Sequence, residues 1–229
     1  MNSFPNKNNK NSIKEMFENI SNNYDFLNNC MTLFTHRLIR KSSLSLVKNH
    51  PDKILDICTG TGDMAILTAK KFPNSKITAI DFSPSMLNIA IQKAERYKNI
   101  KFIQADATNL PFENNSFELC TISFGLRNLP DINVALKEFL RILKPNGQII
   151  ILDTGKPSKI ITFFIDLIVP TLGKIFHKKK TPYQYLVKSI KIYPPPTEII
   201  NILESNGYIT PRCKDYNLGI FSAQTAFKP

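Results

Sequence analysis

An apolar run that stops abruptly at a pair of glycines constrains this chain more than any other stretch: residues 53–63 read KILDICTGTGD. Ile54, Leu55 and Ile57 suit a strand buried on both faces, and Gly60 and Gly62 then let the chain turn tightly. A helix through Ala65, Leu67 and Ala69 would follow, with Asp63 in its first turn to complement the positive end of the helix dipole. Strand, glycine turn and helix in that order bring backbone amides close to whatever binds there.

The charge around the turn bears on what that is. Gly60, Gly62 and Ala65 fit the G-x-G-x-x-A spacing of dinucleotide sites, a weak signal when it stands alone. Asp56, at the carboxyl end of the strand, would repel a pyrophosphate and attract cations, which favours S-adenosylmethionine with its sulfonium and ammonium. A second strand over residues 76–80 ends in Asp81, about 20 residues past the glycines, where an acid meets ribose hydroxyls with either cofactor. Reading Asp81 as a plain helix cap is less apt, because Ser83 and Pro84 already supply the N-cap and first helical position.

The alternation continues. A helix over 83–98 is followed by a strand at 101–104 ahead of Asp106 and Ala107, and a strand at 119–123 opens into FGLRNLPD. Asp131 caps a helix reaching residue 143, LKPNG reads as a turn with Gly147 at positive φ, and 148–153 forms a fifth strand. A final strand pair closes the sheet. This pattern predicts an α/β fold: a doubly wound, mostly parallel seven-stranded sheet with helices on both faces and its ligand at the carboxyl ends of the strands. Asp56, Asp81, Asp106 and Ser123 all fall at those ends. Residues 1–50 stand apart from the 51–229 domain. Residues 1–12 are Asn- and Lys-rich and read as disordered, 13–29 place Met16, Phe17, Ile20, Tyr24 and Leu27 at helical spacing, and a second helix runs over 38–47. Tyr24 and Asp25 are polar enough to reach a pocket from this helical cap.

Composition excludes some chemistry. Cys30, Cys58, Cys120 and Cys213 contain no C-x-x-C, and His36, His50 and His177 form no ligand cluster with them, so reduced thiols and no metal are expected. The start lacks the apolar core of a signal peptide, which points to the cytoplasm. The net charge of +12 suits nucleic acid or an anionic membrane, but the lysines are spread along an Asn-rich chain and single out neither. Residues 160–176, IITFFIDLIVPTLGKIF, are too short and too interrupted to span a bilayer. They read either as a buried helix or as the wall of a greasy pocket, with the lysines at 178–180 beside anionic headgroups.

MFENISNNYD (16–25), DICTGTGD, DATNLPFENNSFELCTISFGLRNLPD (106–131), LKPNG and YQYLVKSIKIYP (183–194) together resemble the ubiquinone/menaquinone biosynthesis C-methyltransferases of the UbiE type, within the class I S-adenosylmethionine-dependent methyltransferases. The resemblance runs from about residue 13 to the C-terminus. It implies a Rossmann-like methyltransferase fold, S-adenosylmethionine as cofactor, a prenylated quinol as substrate, demethylmenaquinol being favoured, and no nucleic acid. Thr61, Asp81, Asp106, Ala107 and Ser123 would line the cofactor site with Asp56, Gly60 and Gly62. A helical substrate lid near 155–196, peripheral contact with the inner face of a membrane and a homodimer are compatible with it. The chain departs from the family in having Thr59-Gly60 in place of Gly-Gly, HRLIR in place of a Trp-Arg pair, and NLGIFSAQTAF near its end, departures that bear on substrate contacts.

Ring methylation of a quinol needs one ionised hydroxyl to enrich the adjacent carbon in electrons. Arg127, permanently charged, would lower that phenol's pKa directly or through water, and Asn128 would orient the hydroxyl; a surface salt bridge is the competing reading of Arg127. A nucleic-acid methyltransferase fits less well, since ISFG lacks a polar-Pro-Pro-aromatic turn and Cys120 lacks a preceding proline. A silent cofactor-binding scaffold would not require Arg127 and Asn128.

Overall fold

The centre of the molecule is a strand that meets solvent only at its first residue: after Lys53, Ile54, Leu55, Asp56 and Ile57 of β1 (Lys53–Ile57) are each 0% exposed. The structure is a computed structural model that describes residues 10–21, 24, 25, 29, 35–156 and 181–229. Around β1 lie β2 (Lys76–Asp81), β3 (Ile100–Gln104), β4 (Phe117–Ser123), β5 (Leu143–Thr154), β6 (Ile209–Tyr216) and β7 (Phe221–Phe227), in the order β3-β2-β1-β4-β5-β7-β6. The first five are parallel, and β7 runs antiparallel to both β5 and β6.

Helices cover both faces, as the buried apolar positions require. On one face Leu55, Ile57, Ile122 and Ile151 meet Leu136 and Phe139 of α5 (Ile132–Ile142) and Ile199 and Leu203 of α7 (Pro196–Ser205). On the other, Ile54, Ile77 and Ile150 meet Ala65 and Ala69 of α3 (Asp63–Lys71), while Leu152 and Ala223 meet Ile39 of α2 (Thr35–Leu44). Each large aliphatic side chain so buried contributes roughly 1.5 to 3 kcal/mol. The remaining helices are α1 (Lys10–Ile20), α4 (Pro84–Lys93) and α6 (Thr181–Ile192). Ser83 caps α4 by accepting from the Met86 amide, and Asp131 caps α5 by accepting from Asn133 and Val134, as their sequence positions predict.

Three stretches differ from the sequence reading. The first cap helix begins at Lys10, inside the stretch read as disordered, and runs to Ile20, with Tyr24, Asp25 and Asn29 helical again; the second occupies Thr35–Leu44, and at its end the hydroxyls of Ser43 and Ser45 bond back to the carbonyls of Arg40 and Ser42. LKPNG is an irregular start of β5, its positive φ (61°) falling on Asn146 and not on Gly147. Gly147 is needed for room instead: a Cβ there would lie 2.7 Å from the Lys144 carbonyl. At the far edge, β6 is mostly exposed, carries Pro211, Arg212 and Lys214, and slips register against β7 between Ile209 and Arg212.

Strand order reverses between β1 and β4, so the loops leaving them diverge and open a crevice at their carboxyl ends. Both loops begin with a left-handed residue, Cys58 (φ 54°) and Phe124 (φ 60°), and they touch so closely that a Cβ on Gly125 would sit 2.6 Å from Cys58 Cβ. Gly62 (φ 85°) is equally confined, a Cβ there lying 3.0 Å from Ala90 Cβ on α4. Gly62→Ala should therefore cost about 2 kcal/mol or more, from the left-handed backbone and from overpacking together. Adding Ala90→Gly should make the double variant less destabilised than the sum of the two single changes. Urea denaturation of the four proteins measures this, and strict additivity would show that the contact is not what confines Gly62.

Candidate active site

The crevice holds a cavity of about 860 Å³, counting the space that opens to solvent. Gly60, Asp81, Asp106, Ala107 and Ser123 line it from the strand ends, Phe124 and Asn128 from the loop after β4, and Phe17 and Tyr24 from the cap.

Asp81 ties this wall together. Its Oδ2 accepts from the Gly60 amide at 2.8 Å and its Oδ1 from the Ser83 amide at 2.9 Å, so one carboxylate fixes both the glycine turn and the start of α4. Each oxygen keeps capacity for a further donor. Burial raises the Asp81 pKa, and the backbone bonds from Ser83, Gly60 and Phe82 only partly oppose it. Beside it, a Cβ on Gly60 would meet no atom nearer than Tyr24 Cε1, at 4.0 Å, so this glycine leaves open space next to the acid. Asp106 is shaped by its own turn, Oδ1 accepting from the amide and the hydroxyl of Thr108 at 2.8 and 2.7 Å. Ser123 Oγ accepts from Arg40 Nε at 3.1 Å, and the Arg40 guanidinium lies 5.1 Å from the centre of the Phe124 ring.

Four sequence-predicted residues are placed elsewhere. Asp56 does not line the cavity: it is 0% exposed, and its two oxygens accept from the hydroxyls of Thr59 at 2.6 Å and Thr121 at 2.7 Å. Burial pushes its pKa up to about 6 in spite of those two bonds. Thr61 is buried outside the cavity lining, donating to Asp25 at 2.5 Å, and Gly62 is confined against α4. Arg127 points inward, its Nη1 on Asp153 Oδ1 at 2.6 Å and on the Phe124 carbonyl at 2.9 Å, with its side chain only 9% exposed. It is neither a surface salt bridge nor a bare cation facing the cavity. Asn128, by contrast, does line the cavity, its Nδ2 donating to the Phe124 carbonyl at 3.2 Å and its Oδ1 accepting from Tyr185 at 3.3 Å. Burial raises the Tyr185 phenol, which therefore stays a neutral donor.

Sequence reasoning missed the partners that hold these groups. Asp153 lies near the end of buried β5, Tyr185 stands out only as part of the YQYLVKSIKIYP stretch, and Lys93 is 30 residues from the Asp63 carboxylate that it meets at 2.7 Å. Arg40 lay in the HRLIR stretch without a role. His36, buried beside Arg40, is pushed down to about 4, first by burial and then by that arginine, so it is neutral near pH 7. Among the described residues no group of His, Cys, Asp and Glu could hold a metal ion. Residues 160–176 lie outside the described residues.

Comparison with known proteins gives a consistent assignment. The model of the ubiE/COQ5 methyltransferase family matches residues 5–228. A demethylmenaquinone methyltransferase of Staphylococcus aureus is 37% identical over 230 residues, covering 97% of this chain and 95% of that protein. Among solved structures, a Thermotoga maritima SAM-dependent methyltransferase, described as a possible histamine N-methyltransferase, superposes with a TM-score of 0.69 at 20% identity, over 94% of this chain and 99% of that one. A Haemonchus contortus phosphoethanolamine N-methyltransferase in complex with S-adenosyl-L-methionine gives a TM-score of 0.62 at 16% identity, over 86% of this chain and 53% of that one. These two structures share the fold.

Two buried acids lead to measurable expectations. The folded pKa of Asp56 exceeds the ordinary aspartate value of 3.8, so its contribution to stability is complete below about pH 4 and is lost as pH rises through about 6. Asp56→Asn cannot ionise, can accept from one threonine and donate to the other, and should gain on the wild type by up to roughly 3 kcal/mol between pH 4 and pH 7. Urea midpoints across that range test this, and a stability difference that does not change with pH would contradict it. Arg127→Ala leaves Asp153 buried without its cation and should cost about 3 to 5 kcal/mol, with Arg127→Lys intermediate. A loss below about 1 kcal/mol would mean that the pair behaves like an exposed one.

Proposed function

The chain belongs to the ubiE/COQ5 methyltransferase family, and from that membership we propose that it methylates a ring carbon of demethylmenaquinol with S-adenosylmethionine as methyl donor. The observation that carries the physical side of this reading is the negative field at the crevice. Asp81 and Asp106 line the cavity, and their charges together with that of buried Asp56 add to burial in pushing the Cys58 thiol well above its usual range, whereas the charge of Asp153 is offset by Arg127 at 2.6 Å. Such a field attracts a sulfonium and an ammonium and opposes the pyrophosphate of a dinucleotide. Asp56 contributes to this field from behind the wall and makes no direct contact.

The residues present fit the cofactor. Asp81, with acceptor capacity left on both oxygens and open space at Gly60, would hold the ribose hydroxyls, and Asp106 and Ala107 would flank the base. When bound, S-adenosylmethionine supplies an electrophilic methyl group on a positively charged sulfur. Phe17, Met86, Phe124, Leu129 and Pro130 give the cavity an apolar stretch of wall, which suits a fused aromatic ring and keeps water from the reacting carbon. Asn128 would hold the quinol hydroxyl whose ionisation enriches the neighbouring carbon in electrons, and Tyr185 orients Asn128. Arg127 and Asp153 fix the loop that presents Asn128. Alignment of the two reactants in such a site can lower a barrier by several kcal/mol, up to about 7 to 11 in the best cases. The prenyl tail of such a substrate resides in a bilayer, so the proposal includes peripheral contact with a membrane. No helix among the described residues is long and apolar enough to cross one.

The test is to incubate the purified protein with methyl-labelled S-adenosylmethionine and a short-tailed demethylmenaquinol, with RNA and DNA offered separately. Label should enter the quinol alone, and label in nucleic acid only would overturn the reading. Asp81→Ala should weaken calorimetric binding of S-adenosylhomocysteine by about tenfold to a hundredfold, through loss of charge-assisted hydrogen bonds. Unchanged affinity would remove Asp81 from the site.

A further inference from the structure

Lys93, the last residue of α4, is more fully engaged than any lysine at a helix end needs to be. Its ammonium has three donors, and it meets Asp25 Oδ2 at 2.6 Å, Asp63 Oδ1 at 2.7 Å and Thr61 Oγ1 at 3.2 Å. Those acceptors come from three places in the chain: the cap, the start of α3 and the glycine turn. Asp25 is doubly tied, since its Oδ1 also accepts from Thr61 at 2.5 Å. One peptide bond away is Tyr24, whose ring lines the cavity, is the nearest side chain to the open space at Gly60, and stands edge-on to Phe17 at 6.1 Å.

The same network reaches the opposite wall. Asp63 Oδ2 accepts from Arg40 Nη1 at 3.3 Å, and Arg40 Nε continues to Ser123 at 3.1 Å. Burial works against the ionisation of Asp63, and Arg40 and Lys93 overcome it. The two halves differ in exposure: the Arg40 side chain is 7% exposed, whereas those of Lys93 and Asp25 are 29% and 32% exposed. The dry half is hard to break and anchors the network, and the wetter half at Asp25 is the part that can open.

We propose that Lys93 is a positioning residue that latches Tyr24 over the glycine turn, so that exchange of the spent cofactor waits on parting Lys93 from Asp25. The proposal rests on the cofactor reading above for the identity of what is enclosed, but the latch itself is built from the protein's own residues. Tyr24 is held by an ionic tie outside the cavity and a ring contact inside it. Parting Lys93 from Asp25 leaves Asp25 on Thr61 alone and lets Tyr24 draw back from Gly60.

The chain contains no tryptophan, so Tyr24→Trp installs a single reporter at the latch. In the ligand-free reporter protein, acrylamide quenching should rise when Lys93→Met is added and fall back with Lys93→Arg, which restores the charge. In the protein with its native Tyr24, stopped-flow release of S-adenosylhomocysteine should be roughly tenfold faster for Lys93→Met and near the original rate for Lys93→Arg. A purely structural lysine would lower the melting temperature without changing the release rate. Equal quenching in all backgrounds, or unchanged release from Lys93→Met, overturns the latch. Failure of the unaltered protein to bind S-adenosylhomocysteine would instead strike the cofactor reading, and the quenching comparison would still decide the latch.

Discussion

The walls of the crevice are tied together by a carboxylate sealed away from the cavity. Asp56 sits at zero exposure in the central strand, and its two hydroxyl partners belong to different elements: Thr59 to the glycine turn, Thr121 to β4. A buried acid without partners would be costly in this environment. The two threonines make it tolerable, and in doing so they fix the turn relative to the strand across the point where strand order reverses. Asp81 repeats the device one strand over with backbone amides in place of hydroxyls. The cradle at Gly60 is thus held from beneath by one acid and from the side by another, and the field of both is delivered with the scaffold.

Much of the fold was legible because a parallel sheet leaves a strong record. Strands buried on both faces must be apolar throughout, so KILDI and QIIIL could be recognised without knowing their neighbours. Ser83 and Asp131 are equally readable, since a cap acts within three residues of itself. LKPNG was misread for a related reason: a proline, an asparagine and a glycine in a row imply a turn, but the turn rule does not say which residue takes the left-handed backbone. Asn146 takes it, and Gly147 is left to relieve a collision with the Lys144 carbonyl.

The candidate site was legible only where function follows from a position on a strand. Asp81, Asp106, Ala107 and Ser123 line the cavity because strand ends converge there, whatever the side chains do. Arg127 shows the limit. Its place in the chain promised a charge facing the cavity, but the direction of a side chain is set by partners distant in sequence, and Asp153 lies 26 residues away. Lys93 left no signal of any kind, since its three acceptors are brought to it only by the tertiary fold. Pairings of this sort cannot be read from local pattern, which is why the groups that support the site were invisible while those that line it were not.

The outermost strand has a consequence for the protein in crowded solution. β6 ends the sheet with a row of backbone groups that another strand could in principle join, yet it carries a proline without an amide hydrogen, two exposed cations and a slip in register. An incoming copy would meet a missing donor, like charges and a bent template in the space of a few residues. The antiparallel pair that completes the sheet therefore also terminates it at this edge, where strand-by-strand addition of another copy is disfavoured.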